Sequence, residues 1–397
     1  MHVAPGVTRT GRLAGVIGAA LIAALAGSAV PAAADPVGIA GLAGAASGAA
    51  GGQPQQPGYW PRDADSGPDG GVFTVVATSG TDAWALGSTD LGQRLLLRHW
   101  NGSAWTEDAA DDGQLPAGGS LNEVLGSAAT SAGDVWGVGR TSNGSRGLIV
   151  HWDGTAWSQL PLPALGFNSS LAGVAALTPE DAWAVGEEAD STETLILHWD
   201  GSAWQQVPSP SPAGYSQLEA IHAVSASSIW AVGQSGRGAA MTTLIEHWNG
   251  TAWTRVPSPS PPGGSQLSSV SASSPRNAWA VGETGLSSLI LHWNGRKWKR
   301  VPSPNARGMV GTTLTSVAVS SPRSAWAVGS GSDPVGALIL HWNGRAWRRL
   351  PAPPDRPAPS AEQALAGVIA PSPGATWAVG QGDDLPVTLR WNGHAWT

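Results

Sequence analysis

HWNGTAW, residues 247–253, recurs almost unchanged along the 397-residue chain. It reads HWNGSAW at 99–105, HWDGTAW at 151–157, HWDGSAW at 198–204, HWNGRKW at 292–298, HWNGRAW at 341–347 and RWNGHAW at 390–396. A second signature precedes each copy: DAWALG at 82–87, DVWGVG at 134–139, DAWAVG at 181–186, SIWAVG at 228–233, NAWAVG at 277–282, SAWAVG at 324–329 and ATWAVG at 375–380. Its central tryptophans, Trp84, Trp136, Trp183, Trp230, Trp279, Trp326 and Trp377, are 52, 47, 47, 49, 47 and 51 residues apart. Three Trp in each of seven units account for 21 of the 22 in the chain, leaving only Trp60 outside the repeat.

Each unit divides into four short strands. The first carries alternating small and apolar residues, as in LTSVAVS (314–320), and the second is the AWAVG run ended by its Gly. The third is the LILHW type of run, and the fourth starts at the AWTRVP type and stops at Pro, which has no N–H to give to a ladder. Asn-Gly or Asp-Gly separates the third strand from the fourth in all seven units, a tight hairpin signal that favours positive φ. No helical periodicity interrupts the pattern. A four-stranded antiparallel unit of this length buries both faces only when packed between two others. The repeat therefore predicts an all-β, seven-bladed β-propeller over residues 71–397.

Residues 1–34 have the form of a secretory signal peptide: Arg9 and Arg12, the apolar run LAGVIGAALIAALAG (13–27) and an A-x-A site with cleavage after Ala34. Its removal leaves no membrane span and moves the formal charge from −7 to −9, since two Arg and no acid are lost. Residues 35–70 are Gly/Ala-rich and then Gln/Pro-rich, a composition expected to form a flexible, disordered linker. With no Cys, a disulfide framework is excluded. The acidic balance argues against a nucleic-acid partner. The expectation is a secreted, extracellular monomer, associated with the cell surface or free.

DAWAVG…LILHWNGTAW…VPSPSP resembles the tandem repeats of secreted actinobacterial β-propeller proteins. More broadly it is similar to kelch-type propellers and to the Asp-box hairpins of sialidase-like propellers, the latter through Asn249, Gly250 and Trp253. The resemblance implies a fold and little about activity. Its enzymatic members depend on a tyrosine nucleophile with an arginine triad, or on a Tyr–Cys crosslink. Here the only tyrosines are Tyr59 and Tyr215, neither beside an acid in the sequence, and there is no Cys.

Residues present in every blade serve what every blade needs. The central Trp residues and His99, His151, His198, His247, His292 and His341 are therefore expected to pack and brace the blades, with Asp82, Asp134 and Asp181 joining the His in a bonded network. Arg390 replaces the His in the seventh unit, which a shared chemical mechanism would not tolerate. No catalytic residue, metal site or cofactor is expected.

Function is then sought where the units differ. Two connections per blade vary, and by propeller geometry both emerge on the face opposite the uniform turns. That variable face offers Arg140, Arg146, Glu187, Glu188, Tyr215, Arg237, Arg307 and Asp383 as candidate contacts for an extracellular glycan or protein. His222, Glu219 and Glu123 are candidates for reaching the central channel, where a carboxylate pair would support glycosidic chemistry. Arg296, Lys297, Lys299, Arg300, Arg345, Arg348 and Arg349 form a basic strip on the outer strands of the fifth and sixth units. The expectation is a non-catalytic binding module. The alternatives are an extracellular carbohydrate-active enzyme (hydrolase or lyase) with a site at the channel mouth, and a passive cell-wall-surface scaffold.

Overall fold

Alternation of small and apolar residues along the first segment of each unit, and β-branched or large residues along the third, favour extended chain over helix. The computed structural model describes residues 71–396, apart from 80, 90–93, 108–121, 142–145, 167, 189–191, 213, 305–310, 333–334, 352–363, 373–374 and 383–384. The signal peptide, the linker, Trp60, Arg307 and Asp383 lie outside the described residues. Among those described there are six four-stranded antiparallel sheets and one three-stranded sheet, each a meander in chain order. The one helical element among them is a single 3-10 turn, Gly238–Ala240.

Blade four shows the plan: an inner strand Ser216–Ser225, then Ser228–Ser235, Thr242–Trp248 and a three-residue outer strand Trp253–Arg255. Inner strands of neighbouring blades pack side by side around the axis, and the last, Ala364–Ser372, also meets the first, Gly71–Ser79. The core consists of seven apolar clusters, one at each junction between blades. The seventh closes the ring, with Ile369, Trp377 and Val379 of blade seven against Val72, Val75 and Ala85 of blade one. The chain is a seven-bladed β-propeller.

Among the described residues blade seven has three strands, and its outer segment contributes one bridge, between Trp391 and Trp396. Trp396 is nonetheless buried, packed edge-on against Trp326 of blade six at 5.1 Å.

Two local expectations change. The second strand does not end at its Gly: Asp181–Glu188 continues two residues beyond Gly186. The inner strand bulges opposite it, between Leu171 and Gly173. A Cβ on Gly186 would lie 1.9 Å from the Ser170 carbonyl oxygen, so Gly is required by close approach rather than by a turn. The Asn-Gly turn also differs from a two-residue hairpin with positive φ at both positions. Gly250 is at φ 96°, while Asn249 is not among the positive-φ residues. The Asn249 side-chain oxygen instead accepts hydrogen bonds from the backbone N–H of Thr251 and Ala252, both at 3.0 Å, and from the Thr251 hydroxyl at 2.8 Å. Asp serves equally well, and the hydroxyl of Thr155 with the N–H groups of Ala156 and Thr155 hold the Asp153 carboxyl down to about 2.

Candidate functional site

The repeated His is committed within its own blade. His99 Nε2 meets Asp82 at 2.6 Å, His151 meets Asp134 at 2.7 Å and His198 meets Asp181 at 3.0 Å. Where the Asp is replaced, His247 bonds Ser228 at 3.1 Å, His292 bonds Asn277 at 2.9 Å and His341 bonds Ser324 at 3.4 Å. Each imidazole lies against the central Trp of its blade, with ring centroids 4.0–4.4 Å apart. In blade seven the Arg390 guanidinium takes that place, 5.2 Å from the Trp377 ring. The same Trp reaches two tryptophans of the next blade, as Trp230 does Trp293 at 5.0 Å and Trp298 at 5.2 Å.

Beyond this brace, polar side chains converge on the variable face between blades three and four. Glu187 lies near the end of the second strand of blade three, and Tyr215 just precedes the inner strand of blade four. The Tyr215 hydroxyl donates to Glu187 Oε2 at 2.8 Å, and the Arg237 guanidinium stacks over the Tyr215 ring at 4.1 Å. This corrects the expectation that Tyr215 lacks an acid partner. Burial, then the bond and charge of Glu187, raise the phenol well above its ordinary range and keep its proton in place as a hydrogen-bond donor.

The network continues inward. Tyr215 also contacts Gln217 Oε1, and Gln217 Nε2 contacts Glu219, which is 8% exposed. Burial, with the charge of Glu187 second, pushes the Glu219 carboxyl up to about 8 and keeps it protonated at neutral pH. Tyr215 has one proton for two acceptors. With the Gln217 amide turned over, every contact has a donor: Glu219 O–H to Gln217, Gln217 N–H to the Tyr215 oxygen, Tyr215 O–H to Glu187. A buried neutral acid is thereby linked to a carboxylate at the face.

Other candidates fall elsewhere. Arg140 pairs with Glu123 at 2.8 Å in blade two. Arg146 lines a cavity of about 780 Å³ with Thr141, Leu160, Leu162 and Leu165. Glu188 accepts from Gln206 at 3.3 Å, away from the Tyr215 group. His222 does not serve the channel: it is 4% exposed and its Nε2 meets the Ala272 carbonyl of blade five at 2.9 Å. Burial lowers it to about 4, so it is a neutral tie between inner strands.

Gln217 was missed, although the strand-end positions of the repeat vary between units and so mark it. Glu246 was missed too. It is wholly buried, takes a bond from Ser209 at 2.9 Å, and is pushed up to about 7 by burial. Its position in the third strand holds Val150, Leu197, Leu291, Leu340 and Leu389 in five other blades and Arg98 in blade one, so the two charged exceptions are visible in the repeat itself.

No protein-family model matches the chain, and no curated protein matches it. Solved structures do resemble it. A structure of YCF48 bound to D1 peptide is 16% identical, with TM-score 0.54, covering 81% of this chain and 93% of that one. YCF48 from Cyanidioschyzon merolae is 14% identical, TM-score 0.54, covering 81% and 95%. A fucose-specific lectin from Aleuria aurantia gives 14% identity and TM-score 0.46 over 68% of this chain and 91% of that one. At these identities the two YCF48 likenesses concern the fold alone.

Proposed function

We propose that this propeller is a secreted, non-catalytic binding module that takes an extracellular glycan or protein ligand on its variable face. The supporting observation is the Glu187–Tyr215–Arg237 group. Segments of two blades present a carboxylate, a phenol held as a donor and a guanidinium in one fixed arrangement. Such a set suits hydroxyl or amide groups of a polar ligand. The repeated His and Trp are already engaged in packing, and so they leave recognition to the positions that differ.

A carbohydrate-active enzyme is the second reading, and one observation favours it: protonated Glu219 feels the charge of Glu187, a pairing that could divide acid and base roles. The low exposure of Glu219 weighs against it. Incubating residues 35–397 with a panel of polysaccharides and extracellular proteins, with sugar release assayed in the same tubes, separates the two. Retention without release is the expected result. Released sugar would replace the binding module with the enzyme, and neither retention nor release would leave a passive scaffold.

A further inference from the structure

The repeat supplies its own control for a second surface. At four positions, blades five and six carry a cation in register: Arg276 and Arg323 in the first hairpin turn, Arg296 and Arg345 in the turn before the outer strand, then Lys299 with Arg348 and Arg300 with Arg349 on the outer strands. Lys297 makes nine, all exposed. At the second of these positions, blades one to four hold Ser103, Thr155, Ser202 and Thr251. At the third they hold Thr106, Ser158, Gln205 and Thr254. At the fourth, blades one to three hold Glu107, Gln159 and Gln206, and blade four holds Arg255, which faces Glu246. The scaffold therefore folds without most of these charges, and only the two adjacent blades carry a cation at all four positions.

These cations stand close together. A Cβ on Gly295 would lie 3.3 Å from Arg276 Cβ, and one on Gly344 would lie 3.3 Å from Arg323 Cβ, so in each blade the two basic turns touch. None of the nine has an ion-pair partner among the described residues. Between residues 255 and 350 the only acids are Glu283 and Asp333, in a chain whose net charge is −7. A merely solvated face mixes both signs. Among the described residues this one does not, and it holds both lysines of the chain, Lys297 and Lys299.

We propose that the outer edge and uniform-turn side of blades five and six form a docking surface for a linear anionic polymer of the phosphodiester class. Seven of the nine cations are Arg, whose forked donors bind phosphate oxygens in pairs. A lipid surface fits less well. Leu286, the one exposed large hydrophobic residue among those described, lies in the turn after the second strand of blade five, on the opposite face. Docking through the uniform turns leaves the variable face turned away from the polymer and open to a ligand. This surface is independent of the Tyr215 site.

The test is retention of residues 35–397 on immobilised poly(glycerol phosphate) across a salt series, beside polygalacturonate, single-stranded DNA and vesicles containing anionic lipid. Two variants use residues native to other blades: R276S/R296T/K299T/R300Q, and R323S/R345T/R348Q/R349Q. The expected result is binding to poly(glycerol phosphate) that weakens steeply with salt. Each variant, folded by its melting curve, should bind at least about tenfold less with a shallower salt slope. No retention, undiminished retention by both variants, or equal or stronger binding to polygalacturonate, DNA or vesicles would overturn the proposal. Should one variant fail to fold, the other decides.

Discussion

Glu219, Glu246 and His222 place three ionisable groups inside blade four, and their titration has opposite signs. Folding holds the Glu219 carboxyl up to about 8 and Glu246 up to about 7, against 4.5 ordinarily, so the folded chain keeps protons that the unfolded chain has lost. Their contribution is fully present below pH 4.5 and is lost as pH rises through 7 to 8. His222, lowered to about 4 from 6.5, works the other way, and its contribution is lost as pH falls from 6.5 through 4. From pH 6.5 to 8 the glutamates prevail. Glu219 alone is expected to cost about 2 kcal/mol across that interval. Denaturant midpoints measured over this range should decline in the native protein and flatten in E219Q/E246Q. An equal decline in both would refute the assignment. In the sequence these groups were visible only as departures from the repeat, because their burial depends on how neighbouring blades pack against the strands that carry them.

At the scale of the turn and the strand, chemistry was more legible than conformation. The dipeptide located every hairpin between third and fourth strands, but the stabilising device is the Asn oxygen bonding two N–H groups. N249D should therefore be close to neutral, whereas N249A should lose about 1 kcal/mol in chemical denaturation. Gly186 is governed by a carbonyl from the neighbouring strand, a contact no local pattern encodes. G186A should destabilise by about 3 kcal/mol, the cost of forcing a backbone apart, and a loss under 1 kcal/mol would contradict the close approach. Tyr215 illustrates the same limit: its partner Glu187 lies on another blade, 28 residues away.

For the whole molecule, the sequence period announced the architecture because one unit cannot bury its faces alone. The ring is held by seven Trp-centred junctions, so W230A should cost about 3–5 kcal/mol and affect both blades that it joins. The junction of blade seven with blade one has Arg390 in place of His and a more distant neighbouring Trp, Trp100 at 5.9 Å from Trp377. Hydrogen exchange is expected to be fastest there. Faster exchange at the junction of blades four and five would contradict that order.

Division of labour between repeated and unrepeated positions is the central claim, and it is most directly tested by comparing two kinds of variant on whichever panel ligand retains the protein. Y215F and R237A should each weaken retention about tenfold or more, while H247Q, still folded, should bind within about twofold of the native chain. Loss of binding in H247Q with Y215F and R237A unaffected would contradict the account and return recognition to the repeated motif.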